Sequence, residues 1–474
     1  MREIAYGTRE ARRVLTAAIV GSGVAFLDST IVNVALPSIG RGLATDLRGL
    51  QWTVDAYMLA LTAFLLPGGA LGDRYGRRRV FVVGLLAFGA ASGACALAPT
   101  AAALAVARAI QGVAGALLVP GSLALLRAAF RPQDQARAIG VWSALSGVST
   151  ALGPLAGGWL AEAVSWRAIF LVNLPLVGVA AWAARGPIPE APARAGRPDL
   201  AGAALVAAGL GAVTAALIEA PGRGATPTVV AGALAGVLAL AAFIRVEARR
   251  ADPMLPLGLF RSRAFTAANV VTLGVYLALG GAMFLTVLQL QAGLGWSPLA
   301  AGAALLPVTL LVLVLSPLAG RACARVGPWP LLGGGPAIIA LGVLLLGRVS
   351  PGASYERDVL PGVLALGVGL GLTVAPLTIA ALGAAPADRA GIASGVNNAV
   401  ARLAGLLAVA ALPLVGGIAP DALRTGTFQA GYSRAMSAAA ILAAAGGLSA
   451  LLGPSRRVRF PAVRARRRLG ARPR

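Results

Sequence analysis

The sequence predicts an all-α bundle that crosses a membrane about fourteen times. Three observations carry that prediction. The chain is 58% hydrophobic and 12% charged with a mean hydropathy of +0.81, more apolar surface than a soluble fold can hide beneath a polar skin. Apolar runs of bilayer length recur from Val14 to Leu452, separated by short polar loops. No stretch of soluble-domain composition remains, which excludes an enzyme domain on a single anchor.

The first six runs lie near 14–37, 51–71, 80–98, 102–126, 137–160 and 166–184. Two follow near 200–218 and 227–245, and six more near 265–290, 297–320, 328–347, 359–381, 393–415 and 434–453. Each approaches the roughly 20 residues that a helix rising 1.5 Å per residue needs to cross about 30 Å of hydrocarbon. Val14–Pro37 is too long for a signal-peptide core and carries Asp28, so it reads as a retained helix. Arg185–Asp199, with four prolines and three arginines, and Arg245–Arg263, with Pro253 and Pro256, break the pattern and read as linkers. The chain thus divides into a first six-helix half (1–190), a central two-helix insert (191–260) and a second six-helix half with a basic tail (261–474). The central pair carries little besides Glu219 at its outer end, which suggests a packing or peripheral role. Two six-helix halves are what alternating access around a site near mid-membrane requires.

The net charge of +24 invites a nucleic-acid reading, but its placement points elsewhere. All 41 basic residues are arginine; thirty-two fall in the termini and alternate loops, eight near the opposite side, and Arg108 inside an apolar run. That asymmetry predicts a multi-pass protein of the inner (plasma) membrane with both termini cytoplasmic. The Arg456–Arg474 tail, with nine arginines, is expected to lie against anionic lipid head groups. Cys95 and Cys323 fall near opposite faces and cannot meet in a disulfide. The absence of histidine removes a histidine-ligated metal site and a histidine proton shuttle. No nucleophile–base set, phosphate loop or metal cluster emerges, so neither enzymatic activity nor a cofactor is expected, and a monomer suffices.

Only Asp28 and Asp55, of 17 carboxylates, sit well inside predicted runs. An ionisable side chain in hydrocarbon costs several kcal/mol and marks function by default. Asp28 reads as a proton or cation site, or as a carboxylate bonding neighbouring helices. Asp55 reads equally as a second such site or as a solvated residue at the mouth. Arg108 cannot release its proton, so it either tunes nearby acids or pairs with one. At 1.5 Å per residue, Asp28, Asp55 and Arg108 fall roughly 13, 7 and 9 Å from the outer ends of their helices. One hydrated pocket in the outer half can hold all three. Gly153 and Gly157 fall four apart on one helical face beside Pro154, a pattern for a close-packed hinge against the second half.

In Gly69-Ala-Leu-Gly-Asp73-Arg74-Tyr-Gly76-Arg77-Arg78-Arg79, Gly76 permits a tight turn and Asp73 can bond orphan amides and arginine. This segment resembles the G-x-L-x-D-R-x-G-R-R loop of the major facilitator superfamily, and further segments resemble signatures of its fourteen-span drug:proton antiporter branch. Leu27-Asp28-Ser-Thr30-Ile-Val-Asn33-Val-Ala-Leu36-Pro37 resembles the branch's first-span signature, and Arg108-Ala-Ile-Gln111-Gly112 resembles R-x-x-Q-G. Asp55, in Trp52-Thr-Val-Asp55-Ala-Tyr57, resembles an acidic position of some multidrug members. Gly147-Val-Ser-Thr-Ala-Leu-Gly153-Pro154-Leu-Ala-Gly157-Gly158 resembles the antiporter motif. Trp166-Arg167-Ala-Ile-Phe170-Leu-Val-Asn173-Leu-Pro175 and Ala393-Ser-Gly395-Val-Asn397-Asn398-Ala-Val-Ala-Arg402 resemble the branch's sixth and thirteenth spans. Ser316-Pro317-Leu-Ala-Gly320-Arg321, where a second acidic loop would fall, has no Asp.

The resemblance implies a major-facilitator fold and proton-coupled efflux of small hydrophobic or cationic compounds such as drugs or antibiotics. It implies proton coupling through Asp28, Asp55 and Arg108. A loop of Gly69, Asp73, Arg74, Gly76 and Arg77 would latch the cytoplasmic side in the outward-open state. A hinge of Gly147, Gly153, Pro154, Gly157 and Gly158 would favour export over uptake. Candidate cavity residues are Trp52, Tyr57, Gln111, Tyr276, Met283, Phe284, Asn398 and Arg402. The rivals are an uptake symporter of the same fold and a non-transporting scaffold or receptor.

Overall fold

A computed structural model describes residues 4–186, 199–250, 253–386 and 390–451. Its helices are α1 (Arg9–Gly42), α2 (Leu47–Tyr75), α3 (Arg77–Leu97), α4 (Ala101–Ala129), α5 (Pro132–Ala163), α6 (Ala168–Ala184), α7 (Leu200–Arg223) and α8 (Pro227–Glu247). There follow α9 (Arg263–Gly293), α10 (Pro298–Val326), α11 (Trp329–Leu346), α12 (Tyr355–Gly383), α13 (Ala390–Gly416) and α14 (Phe428–Leu451). Among the described residues thirteen helices are long and apolar enough to span a bilayer, and α6 is a shorter apolar helix. No strand forms among the described residues; Ile4 and Phe130 make one isolated bridge. Thirteen such helices and the shorter α6 agree with the expected count of about fourteen.

The short polar loops supply the helix starts. Thr8, Asp46, Thr100, Asp199, Ser262 and Ser297 each accept a hydrogen bond from the amide three residues on, capping α1, α2, α4, α7, α9 and α10. Each such cap satisfies one of a helix's orphan donors, a contribution of about 1 kcal/mol. Gly76 turns α2 into α3 with φ 99°, a conformation open to glycine without a Cβ penalty.

In the first half α2 lies along α4, α3 along α4, and α1 against α4, α5 and α6. In the second, α9 packs on α13 and α14, α11 on α12 and α14, and α10 on α12. Small residues allow these approaches. A Cβ on Gly112 would stand 2.4 Å from the Tyr57 carbonyl oxygen, and one on Gly342 2.5 Å from the Leu366 nitrogen. Bare backbone contact of this kind replaces the hydrophobic drive that lipid does not provide. Large apolar side chains such as Val83, Val106, Trp159, Leu238 and Val314 point outward, which suits hydrocarbon rather than water.

One expectation needs correction. Arg402 lies in mid-α13 and inside the apolar run near 393–415, so Arg108 is not alone among arginines inside a span, and thirty-one rather than thirty-two arginines fall in the termini and alternate loops. For the central pair, read as packing or peripheral, the contacts are those of packing. The helix α7 touches α2 of the first half and α13 of the second, and Glu219 pairs with Arg48 at 3.3 Å and Arg223 at 3.2 Å. The boundary near 190 and the arginine-rich tail fall outside the described residues, while the boundary near 260 falls within a short 3-10 turn, Leu257–Arg261.

Candidate transport pathway between the two halves

Odd-numbered helices start on the side of the bundle where α1 begins, here the near side; the opposite side is the far side. At the far side the halves are fastened together. The Leu47 amide donates to the Pro420 carbonyl (3.1 Å), and Gln51 Nε2 donates to the Val409 (2.8 Å) and Ala410 (3.4 Å) carbonyls. Gln291 Nε2 donates to the Val34 carbonyl (2.7 Å), the Leu299 amide to Glu162 (3.0 Å), and Arg424 to the Ala44 carbonyl (3.0 Å). At the near side lies a cavity of about 400 Å³, lined by α2, α4 and α13 with Val80, Arg77 and Trp142, and reaching the helix ends at Asp73, Arg127 and Gly391. The molecule is shut on one side and hollow on the other.

Asp28 is fully buried inside the first half, not on the cavity wall. It pairs with Arg108, and its other oxygen accepts from Gln111 Nε2 (3.0 Å) and Asn173 Nδ2 (2.9 Å). Ser92 Oγ accepts from both amides, at 2.9 and 2.8 Å. Arg108 also donates to Gln111 Oε1 (2.7 Å) and the Thr53 carbonyl (3.1 Å), and lies 4.2 Å from the Tyr57 ring centroid. Five helices, α1, α2, α3, α4 and α6, converge on one compensated ion pair. Asn173 sits just past the break in α6 at Val172, which aims its side chain inward. The motif reading quoted Asn173 without a role, and Ser92 carried no signal beyond being polar in an apolar run.

Asp55 does not join this network. It is fully buried, and neither carboxylate oxygen has a hydrogen-bond partner. Four residues after Gln51, it shares the α2 face that meets α13; farther along, Met58 reaches to 3.7 Å from a Cβ built on Gly405. The seal thus encloses Asp55. The single hydrated pocket expected for three charged groups is replaced by one saturated pair and one solitary carboxyl.

The antiporter segment packs differently from its expected geometry. A Cβ on Gly153 would stand 1.9 Å from Thr30 Oγ1 and one on Gly157 2.6 Å from the Ile31 carbonyl oxygen, so both face α1 within the first half. The second half is met one step around the helix. A Cβ on Gly158 would lie 2.6 Å from the Pro298 carbonyl oxygen, and one on Gly302 2.3 Å from that of Pro154. Gly147 has open space around it. In the near-side loop, Asp73 pairs with Arg77 (2.8 Å), Arg77 donates to the Ala124 carbonyl (3.4 Å) and Arg78 to that of Ala184 (2.9 Å). Arg74 lies over the Tyr75 ring at 5.3 Å, and Gly69 lines the cavity. These bonds all stay inside the first half.

Of the cavity candidates, Asn398 and Arg402 line the hollow. Tyr57 and Gln111 belong to the ion-pair network, and Tyr276 lies within electrostatic reach of Arg402. Phe284 is buried in the core with Met283 packed against it. Trp52 belongs to an apolar depression between α2, α4 and α7 on the outside of the bundle. The far-side glutamines Gln51 and Gln291 were missed; their signal was an amide within an apolar run.

A family profile described as Major Facilitator Superfamily matches residues 18–409. The chain is 38% identical to the tetracenomycin C resistance and export protein of Streptomyces glaucescens, over 86% of this chain and 77% of that one. It is 39% identical to the puromycin resistance protein of Streptomyces alboniger, over 82% and 78%. Its fold is similar to the crystal structure of the POT family transporter PepTSo, with a TM-score of 0.68, 17% identity and coverage of 94% and 97%.

Proposed function

The chain belongs to the major facilitator superfamily, and on that premise we propose that it exports small, largely apolar compounds such as drugs or antibiotics in exchange for protons. The observation that carries the reading is Asp55, a fully buried and unbonded carboxyl beneath the seal between the halves. A charge buried away from water without a partner is costly, so in this reading the group is held neutral while the seal is shut. Parting α2 from α13 wets it and frees the proton to exchange. The position of the proton thereby becomes linked to which side is open.

With the arginine-rich near side cytoplasmic, the described state is inward-open, ready to take a compound from the cytoplasm or the inner leaflet. Each proton moved down 100 mV supplies about 2.3 kcal/mol, enough for a gradient of a little under two decades. Asp28, already compensated by Arg108 and two amides, is assigned the different task of tying α1 to its neighbours. The resistance and export functions named for the relatives agree with outward movement.

The test is accumulation of uncharged, cationic and acidic dyes in a host stripped of efflux pumps. Wild type should lower the accumulation of at least one dye, and a protonophore should abolish the effect. Asp55→Asn, present at normal level in the membrane, should accumulate dye like the empty vector. Normal export by that variant, or uptake by wild type, overturns the proposal.

A further inference from the structure

We propose that Arg402 binds an acidic group, so that the compounds this cavity takes are apolar molecules carrying a carboxylate, phenolate or similar anion. The inference rests on the reading of the near-side cavity as the transport path. Arg402 lines that cavity, and its buried Nε has no hydrogen-bond partner. The ionisable groups that reach it are the phenols of Tyr57 and Tyr276; among the described residues no carboxylate does.

Arg108 shows what this chain does with an arginine kept for structure: it is given Asp28, Gln111, the Thr53 carbonyl and the Tyr57 face. Arg402 receives none of these. A guanidinium within a membrane span without a counter-charge is costly, and Arg402 stands half-buried on the wall of a cavity large enough for a small molecule. The cavity's acidic residue, Asp73, is already paired with Arg77 at 2.8 Å, while Arg127 adds further positive charge to the lining.

The rest of the wall completes a site. Asn398 lies four residues before Arg402, on the same helical face, and offers an amide beside the guanidinium. Leu65, Leu66, Leu117 and Pro120 present apolar surface to the body of the compound. A planar guanidinium grips a carboxylate through two parallel bonds, a geometry that lysine cannot reproduce. The volume of about 400 Å³ is within the ordinary range for small-molecule sites. Moving an anion out of a negative interior also runs with the membrane potential. The expectation of cationic substrates gives way to its opposite at this wall.

Binding of 2-naphthoate and its uncharged counterpart 2-naphthamide to the detergent-purified full chain tests the inference. Wild type should bind the carboxylate at least tenfold more tightly, about 1.4 kcal/mol. Arg402→Gln should lose that preference and keep its affinity for the amide within twofold. Arg402→Lys should retain a preference weakened at least threefold. A wild type without preference, or a glutamine variant that keeps it, overturns the assignment. If the glutamine variant binds neither probe, the lysine variant decides, and an unweakened preference there overturns it. Export from whole cells is scored separately: a chain that binds naphthoate through Arg402 yet moves no dye keeps the anion site and loses the export reading.

Discussion

Asp28 and Asp55 are both carboxyls in apolar helices, yet their surroundings make opposite demands on substitution. Asp28→Asn leaves the buried Arg108 without its counter-charge, and breaking one partner of such a pair costs about 3–5 kcal/mol. On the proposed reading Asp55→Asn replaces a neutral acid by a neutral amide of the same shape. We predict that thermal unfolding in detergent shows a clear loss of midpoint for Asp28→Asn and none for Asp55→Asn. Equal destabilisation by the two would mean that Asp55 is charged and paired. The Asp28–Arg108 pair was open to reading in the sequence, because charges inside hydrocarbon stand out, but Gln111, read as lining the cavity, was not placed with it. Asn173, Ser92, Gln51 and Gln291 were not legible, because neutral polar residues in apolar runs resemble ordinary packing until their partners are seen. Whether Asp55 met Arg108 was equally hidden, since depth along a helix says nothing of the face presented.

At the scale of a helix, α5 does two jobs with neighbouring glycines. Gly153 and Gly157 hold α1, whereas Gly158 meets α10 across the seam, 2.6 Å from the Pro298 carbonyl oxygen to a built Cβ. We predict that Gly158→Val wedges the far side open, read as a severalfold rise in far-side labelling of Gln51→Cys by an impermeant maleimide. Gly157→Val should instead lower thermal stability, by separating α1 from α5, without raising that labelling. The sequence showed that this segment was close-packed. It set Gly153 and Gly157 against the second half, which Gly158 meets instead, because glycine spacing marks a face but does not say which neighbour occupies it. Helix starts were not read from the sequence: Thr8, Asp46, Thr100 and Ser262 cap locally, whereas the apolar runs begin only where the polar first turn ends.

For the molecule as a whole, the six-two-six order followed from hydropathy and the two proline-rich breaks. Which side is shut did not, because both states of a rocking bundle bury much the same apolar surface. The choice is recorded in a few far-side bonds, of which Leu47 N to Pro420 O at 3.1 Å joins the halves backbone to backbone. Cysteines introduced together as Leu47→Cys and Pro420→Cys should cross-link on oxidation and stop export, with recovery on reduction. Export undiminished by a complete cross-link would show that the far side need not open.

The central claim is that the proton moves on and off Asp55 as the seal opens and closes. Proton flux in inverted membrane vesicles, followed with a lumenal pH dye as an exported compound is added, measures this most directly. Wild type should show compound-stimulated proton movement out of the vesicle lumen, and Asp55→Asn should show none while still binding the compound. Undiminished flux through Asp55→Asn would contradict the account.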